Sequence, residues 1–187
     1  RNPQARVVFD VKCTSHLAPW VEQHGGIADM QPTGHAFIKA RMAETGALLG
    51  GEMSGHFYFR ENWYGFDDAL FAGARLAAIL ADNPDVFSDI PDSVSSPELQ
   101  VDMSGKNQHE FIAALSQQAD FPGAKQVVTI DGLRVEYEYG FGLVRASNTT
   151  PTLVLRFEAR DNQHLELIKE TFRQILHKAD SSLILPF

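Results

Sequence analysis

Short apolar runs and amphipathic stretches of helical period alternate along the chain, and Gly, Pro, Ser or Asp marks most of the switches. Residues 5–11 (A-R-V-V-F-D-V) read as a buried strand. Ser15 then stands where it can cap a helix running to about His24, which Gly25 and Gly26 end. A second short strand at 27–30 completes a βαβ-like opening. Pro32-Thr33-Gly34-His35 leads into a helix to about Glu44 whose Phe37, Ile38 and Met42 share a face, closed by Gly46. Between the apolar Ala47-Leu48-Leu49 and the aromatic Phe57-Tyr58-Phe59 lies a polar turn, Gly50-Gly51-Glu52-Met53-Ser54-Gly55-His56. Asp67 or Asp68 caps the next helix, to about Ala81, whose stripe of Leu70, Phe71, Ala74, Ala77 and Ala78 reads as core.

Residues 82–97 carry prolines, serines and aspartates without periodicity, which predicts a linker and a domain boundary near Ser95. Beyond it, 99–103 alternates as a strand and 110–118 fits a helix. The runs 127–130 and 133–137 pair as a hairpin about Asp131-Gly132, a turn signal and not an acidic metal loop. Strands at 142–146 and 152–159 follow, then a helix over 162–177 burying Leu165, Ile168, Phe172 and Ile175. The order predicts an α/β domain with a mixed sheet and flanking helices over 1–95, then an α+β domain over 96–187.

Composition narrows the function. The chain has 187 residues, 44% of them hydrophobic, enough for two modest cores. Twenty-four acidic against 16 basic side chains give a net charge of -8, which repels a phosphate backbone and argues against nucleic acid or an anionic membrane as partner. A phosphate site must therefore be local. The single cysteine, Cys13, follows an apolar run and reads as a buried thiol in a reducing compartment. Without a signal segment or a membrane-length apolar run, the sequence predicts a cytoplasmic protein. The opening Arg-Asn-Pro reads as that of an excised fragment.

The chemistry gathers in two loops. In the 50–56 turn, glycines allow close backbone approach while a carboxylate, a hydroxyl and an imidazole project together, as gripping a polyol requires. One carboxylate can accept parallel hydrogen bonds from two vicinal hydroxyls. A hairpin-like turn with incidental polar residues is the other reading. Lys12 sits at the carboxyl end of the first strand, where open α/β sheets place ligands. His35 stands at a helix N-terminus, which favours an anion. In the second loop, Arg145 offers a planar fork for phosphate, Ser147 and Thr149 offer hydroxyls, and Asn148 an amide. Successive backbone N–H groups there could form an anion nest.

The run G-G-E-M-S-G-H followed by F-Y-F-R-E-N-W-Y-G-F-D-D-A resembles the sugar-binding loop of the α-D-phosphohexomutases, and Met53 leans toward their bacterial phosphomannomutase/phosphoglucomutase branch. Gly142-Leu143-Val144-Arg145-Ala146-Ser147-Asn148-Thr149-Thr150-Pro151 resembles the phosphate-binding loop of that family's last domain. The resemblance covers nearly the whole chain, which would be the third and fourth domains of such an enzyme, the third slightly truncated and the fourth TATA-binding-protein-like. It implies that Glu52 and Ser54 hold the sugar's 3 and 4 hydroxyls, with Lys12, Thr33, Gly34, His35 and His56 lining the same cleft. Arg145, Ser147, Asn148 and Thr149 would hold the phosphate that is not transferred. His56, His35 and Lys12 are candidates for the general acid-base group.

The resemblance also implies a magnesium ion and a phosphoserine in earlier domains of the intact enzyme, neither loop occurring here, and glucose 1,6-bisphosphate as activator. The fragment alone would bind phosphosugar, hold no cofactor and not catalyse, its partners being the substrate and the missing N-terminal domains. Ser15-His16-Leu17-Ala18-Pro19 lacks the Asn of the family's phosphoserine loop and reads as a helix cap. A stand-alone sugar-phosphate-binding module and a phosphoglucosamine mutase fragment are the alternatives; Met53, where Gln would be expected, weighs against the latter.

Overall fold

The computed structural model describes residues 2–103 and 105–187. The chain forms two compact units, Arg1–Pro91 and Asp92–Phe187. The first runs β1 (Arg6–Asp10), α1 (Leu17–Gln23), β2 (Ile27–Gln31), α2 (His35–Thr45), β3 (Leu49–Gly51), β4 (Phe57–Phe59) and α3 (Ala69–Asp82). Its strands are ordered β2-β1-β3-β4, with β1 parallel to both β2 and β3 and β4 antiparallel to β3.

That order follows from right-handed crossovers, which put α1 and α2 on opposite faces when the chain steps outward from β1 to β2 and back across it to β3. Ile38 and Met42 of α2 are buried with Val8, Ala47 and Tyr58 on one face. Gly50 lets this happen, since a Cβ there would lie 2.5 Å from the Met42 sulfur and 2.8 Å from Ile38 Cγ2. The direction of winding reverses between β1 and β3, so a crevice opens beyond their carboxyl ends.

Three expectations need correction here. The helix begins at Leu17 with His16, not Ser15, at its N-cap, and the Thr14 hydroxyl accepts from the His16 amide. Phe37 is 50% exposed and does not share the buried face of Ile38 and Met42. No residue of α3 is buried, Leu70 being 88% exposed, so its apolar stripe is not core. The helix is anchored on one narrow line, where Phe71 stacks on Trp63 at 4.4 Å and meets Phe59 edge-on at 5.4 Å.

The second unit runs β5 (Val94–Ser95), β6 (Leu99–Asp102), α4 (Gln108–Gln118), β7 (Gln126–Val128), β8 (Leu133–Tyr137), β9 (Gly140–Ala146), β10 (Thr152–Ala159) and α5 (Asn162–Ala179). Its sheet is antiparallel in the order β5-β10-β9-β8-β7, with β6 also on β10. Alternate residues of β8, β9 and β10 share one buried cluster with Ile112 and Leu115 of α4 and Leu165, Ile168, Phe172 and Leu176 of α5. Leu176 takes the buried place expected of Ile175, which is only partly buried.

Val94 and Ser95, read from composition as linker, pair with Ala159 and Glu158. The Ser96 hydroxyl accepts from the Phe157 amide at 3.0 Å. The two compact units divide between Pro91 and Asp92, so Val94 and Ser95 belong to the second of them. The β7–β8 hairpin is not a two-residue turn, because pairing stops at Val128 with Arg134 and leaves Asp131 at the centre of a longer loop. Among the described residues no helix is long and apolar enough to cross a membrane.

Candidate functional site

The carboxyl ends of β1, β2 and β3 bring seven sequence-predicted residues of the first unit to one end of its sheet. Lys12, buried, follows β1; Thr33, Gly34 and His35 follow β2; Glu52, Ser54 and His56 follow β3. The 50–56 stretch is indeed a hairpin turn, closed by the Glu52 amide donating to the His56 carbonyl at 3.0 Å and by Gly55 donating to the Glu52 carbonyl at 2.9 Å. Hairpin and polar site are thus one object, for the turn tucks Glu52 inward to 8% exposure and leaves Ser54 and His56 exposed.

The Glu52 carboxylate is held at both oxygens. Oε1 accepts from the Gly34 amide at 2.9 Å and Oε2 from the Tyr58 hydroxyl at 2.6 Å. Burial, with the Glu52 contact second, pushes the Tyr58 phenol well above its ordinary range, so it remains a donor. A carboxylate offers roughly four acceptor positions, so two donors leave room for two hydroxyls. The helix N-terminus expected to favour an anionic ligand has an anion of the protein's own, since Gly34 is the N-cap of α2 and its amide donates to Glu52.

Sequence reasoning missed three partners in this unit. Asp10 is fully buried and accepts from the Met53 amide and the Cys13 thiol at Oδ1 and from the Thr33 hydroxyl at Oδ2. Tyr58 passed as an apolar strand residue. Asp67 is not the helix cap; Asp68 is, accepting from the Phe71 amide at 2.9 Å. Asp67 Oδ2 instead lies 2.5 Å from His56 Nδ1. The only signal for Asp10 was a carboxylate at the end of an apolar strand.

In the second unit, Arg145 is the penultimate residue of β9 and 5% exposed. Its Nε donates to Asp131 Oδ2 at 2.9 Å. Asp131 reaches it because Gly132, at φ +80°, lies against β9, where a Cβ would come within 2.3 Å of the Val144 carbonyl oxygen and 2.7 Å of Arg145 Cα. The Ser147 hydroxyl is turned into its own loop, accepting from the amides of Thr149 and Thr150 and from the Thr150 hydroxyl. It is thus engaged in shaping the turn, and the amides expected to form an anion nest point at it. Asn148 and Thr149 are exposed at the tip. Gln108, at the start of α4, donates to the Ser147 and Thr150 carbonyls at 3.2 and 3.3 Å and ties the loop down. Gln108 and Asp131 had no sequence signal beyond their turn or helix positions.

Comparison with known proteins covers both units. Residues 1–96 match the model of the phosphoglucomutase/phosphomannomutase alpha/beta/alpha domain III, and residues 98–175 that of the family's C-terminal domain. The chain is 54% identical to a phosphoglucomutase of Neisseria gonorrhoeae and 49% identical to a phosphomannomutase/phosphoglucomutase of Pseudomonas aeruginosa, in each case over 100% of this chain and 41% of the relative. A solved structure of a family protein from Burkholderia thailandensis, 50% identical, superposes with a TM-score of 0.93 over 100% of this chain and 40% of that one. An N-acetylphosphoglucosamine mutase from Aspergillus fumigatus, 14% identical at a TM-score of 0.61 over 94% of this chain and 39% of its own, shares the fold. The chain spans less than half the length of these relatives, and over that span it belongs to the phosphoglucomutase/phosphomannomutase family, as its domain III and C-terminal domain.

Proposed function

We propose that this chain is the substrate-recognition half of a phosphohexomutase, which interconverts hexose 1-phosphate and hexose 6-phosphate through a bisphosphorylated sugar. The observation that carries it is the Glu52 carboxylate, buried, held at each oxygen by one donor, and still able to accept two more. Two vicinal sugar hydroxyls fit that vacancy of acceptors, with Ser54 beside them. Gripping the 3 and 4 hydroxyls suits a sugar that must present either end, since a half-turn of the ring exchanges positions 1 and 6 and returns the diol to nearly the same place.

Arg145 supplies the second handle. Within the second unit, Asp131 holds Arg145 Nε and leaves the terminal nitrogens to take a phosphate, with the exposed Asn148 and Thr149 beside it in the chain. Ser147 shapes that turn. Among His56, His35 and Lys12, the Asp67 contact favours His56 as the acid-base group: a carboxylate on Nδ1 fixes the ring and leaves Nε2 to exchange a proton with the reacting hydroxyl. His35 and Lys12 complete the rim. Among the described residues no three His, Cys, Asp or Glu are gathered as metal ligands. The phosphoryl donor and the metal are assigned to the domains that the relatives have and this chain does not span, so the chain alone binds without turnover.

Titration of glucose 1-phosphate and of inorganic phosphate into the isotope-labelled chain tests the reading. Backbone amide shifts are expected at 52–56 with the sugar phosphate only, and at 145–149 with both. Silence of both loops at saturating millimolar ligand would overturn it.

A further inference from the structure

We infer that Asp10 is a positioning residue for the sugar site, fixing both the placement of the Glu52 turn and the hydrogen-bond polarity of Thr33. The inference rests on the sugar-binding reading above. Asp10 is fully buried at the carboxyl end of the central parallel strand, and no apolar packing requires a carboxylate there. Its oxygens receive donors from three separate segments: the Cys13 thiol at 3.2 Å, the Thr33 hydroxyl at 3.1 Å and the Met53 amide at 3.1 Å, the last 43 residues away.

These ties cross those of Glu52. Asp10 joins Thr33 to Met53, while Glu52, the residue before Met53, accepts from Gly34, the residue after Thr33. Two adjacent pairs of residues on two loops are therefore stitched by two carboxylates, and moving either loop breaks both. A carboxylate accepts and cannot donate, so toward Asp10 the Thr33 hydroxyl acts as a donor. Asparagine at position 10 would keep one oxygen for the Met53 amide and turn an NH2 toward Thr33. That reverses the Thr33 hydroxyl and sends its proton outward without emptying the site of side-chain volume.

The test is a double-mutant cycle on this chain with Asp10→Asn and Thr33→Val, read by glucose 1-phosphate affinity, with inorganic phosphate affinity measured in parallel. Each single variant is expected to weaken the sugar phosphate about tenfold and to leave inorganic phosphate unchanged. The double variant should be no weaker than the weaker single one, because both remove the same contact. Asp10→Asn binding like wild type, losses that multiply, an equal loss for inorganic phosphate, or loss of the wild-type amide pattern of β1 and β2 in Asp10→Asn would each overturn the inference, the last by revealing loss of fold in the first unit. A wild-type chain that shows no response at 52–56 overturns the sugar-site reading and this inference with it; a wild-type response shared by Asp10→Asn overturns the inference alone.

Discussion

The Gly34 amide and the Glu52 carboxylate, 18 residues apart, are joined by a 2.9 Å hydrogen bond that fixes one oxygen of the acid. In Glu52→Gln the amide oxygen is forced to stay on Gly34, so the NH2 must face Tyr58, whose hydroxyl then turns to accept. The substitution removes the charge and one acceptor, a loss of about 1 to 3 kcal/mol, or roughly ten- to a hundredfold in affinity. Glucose 1-phosphate and mannose 1-phosphate should weaken alike, since they share the 3 and 4 hydroxyls. A calorimetric titration in which only one sugar weakens would contradict the diol role.

Asp67→Ala should act through His56. Without the 2.5 Å contact to Nδ1 the ring is free to rotate, and misplacing a reacting group by about 1 Å can cost on the order of a hundredfold in rate. In an intact mutase carrying this chain, kcat should fall by about that factor with KM for the sugar phosphate little changed. A rise in KM at constant kcat would show that Asp67 serves binding instead.

For Arg145→Lys the expected result is weaker binding of inorganic phosphate by about tenfold, because an ammonium keeps the charge and loses the fork held by Asp131. Unchanged affinity would remove Arg145 from the phosphate site.

Tyr137→Phe tests a buried hydroxyl that has no hydrogen-bond partner among the described residues. Burial pushes this phenol up to about 12, with Tyr139 a secondary cause, while in the unfolded chain a phenol titrates at about 10. Between those values the unfolded state has lost a proton that the folded state keeps, so stability falls as pH rises, by up to about 1.4 kcal/mol per unit from this group. The variant should be as stable as wild type or more so at pH 7. Urea midpoints above pH 10 should fall less steeply for it, although Tyr58, shifted in the same direction, keeps some slope in both. Equal slopes would place the alkaline sensitivity elsewhere.

Most strands, the helices and the two loops proposed to bind ligand could be read because each is written in adjacent residues. Periodicity marked β1, α2 and α5, and the turn after β3 carried its glycines and polar side chains in one run. The groups that hold those loops were not legible. Asp10, Asp67, Gln108 and Asp131 meet their partners across 43, 11, 39 and 14 residues respectively, and each looks locally like a strand end, cap or turn residue. Local composition also misled at Val94 and Ser95, because pairing with β10 outweighs their turn-rich neighbours. Leu70 shows the converse error, since helical spacing marks an apolar face and says nothing of what covers it.

The crossed ties of Asp10 and Glu52 also bear on how fast and how tightly a sugar could be held. The Glu52 and Thr33 side chains are held by groups of the protein itself, Glu52 by two donors and Thr33 by the acceptor Asp10. The ordering entropy of the site is therefore met when the chain folds, and an arriving sugar need not meet it again. Such a site gains affinity from preorganisation, at a cost in folding free energy already absorbed by the sheet beneath it.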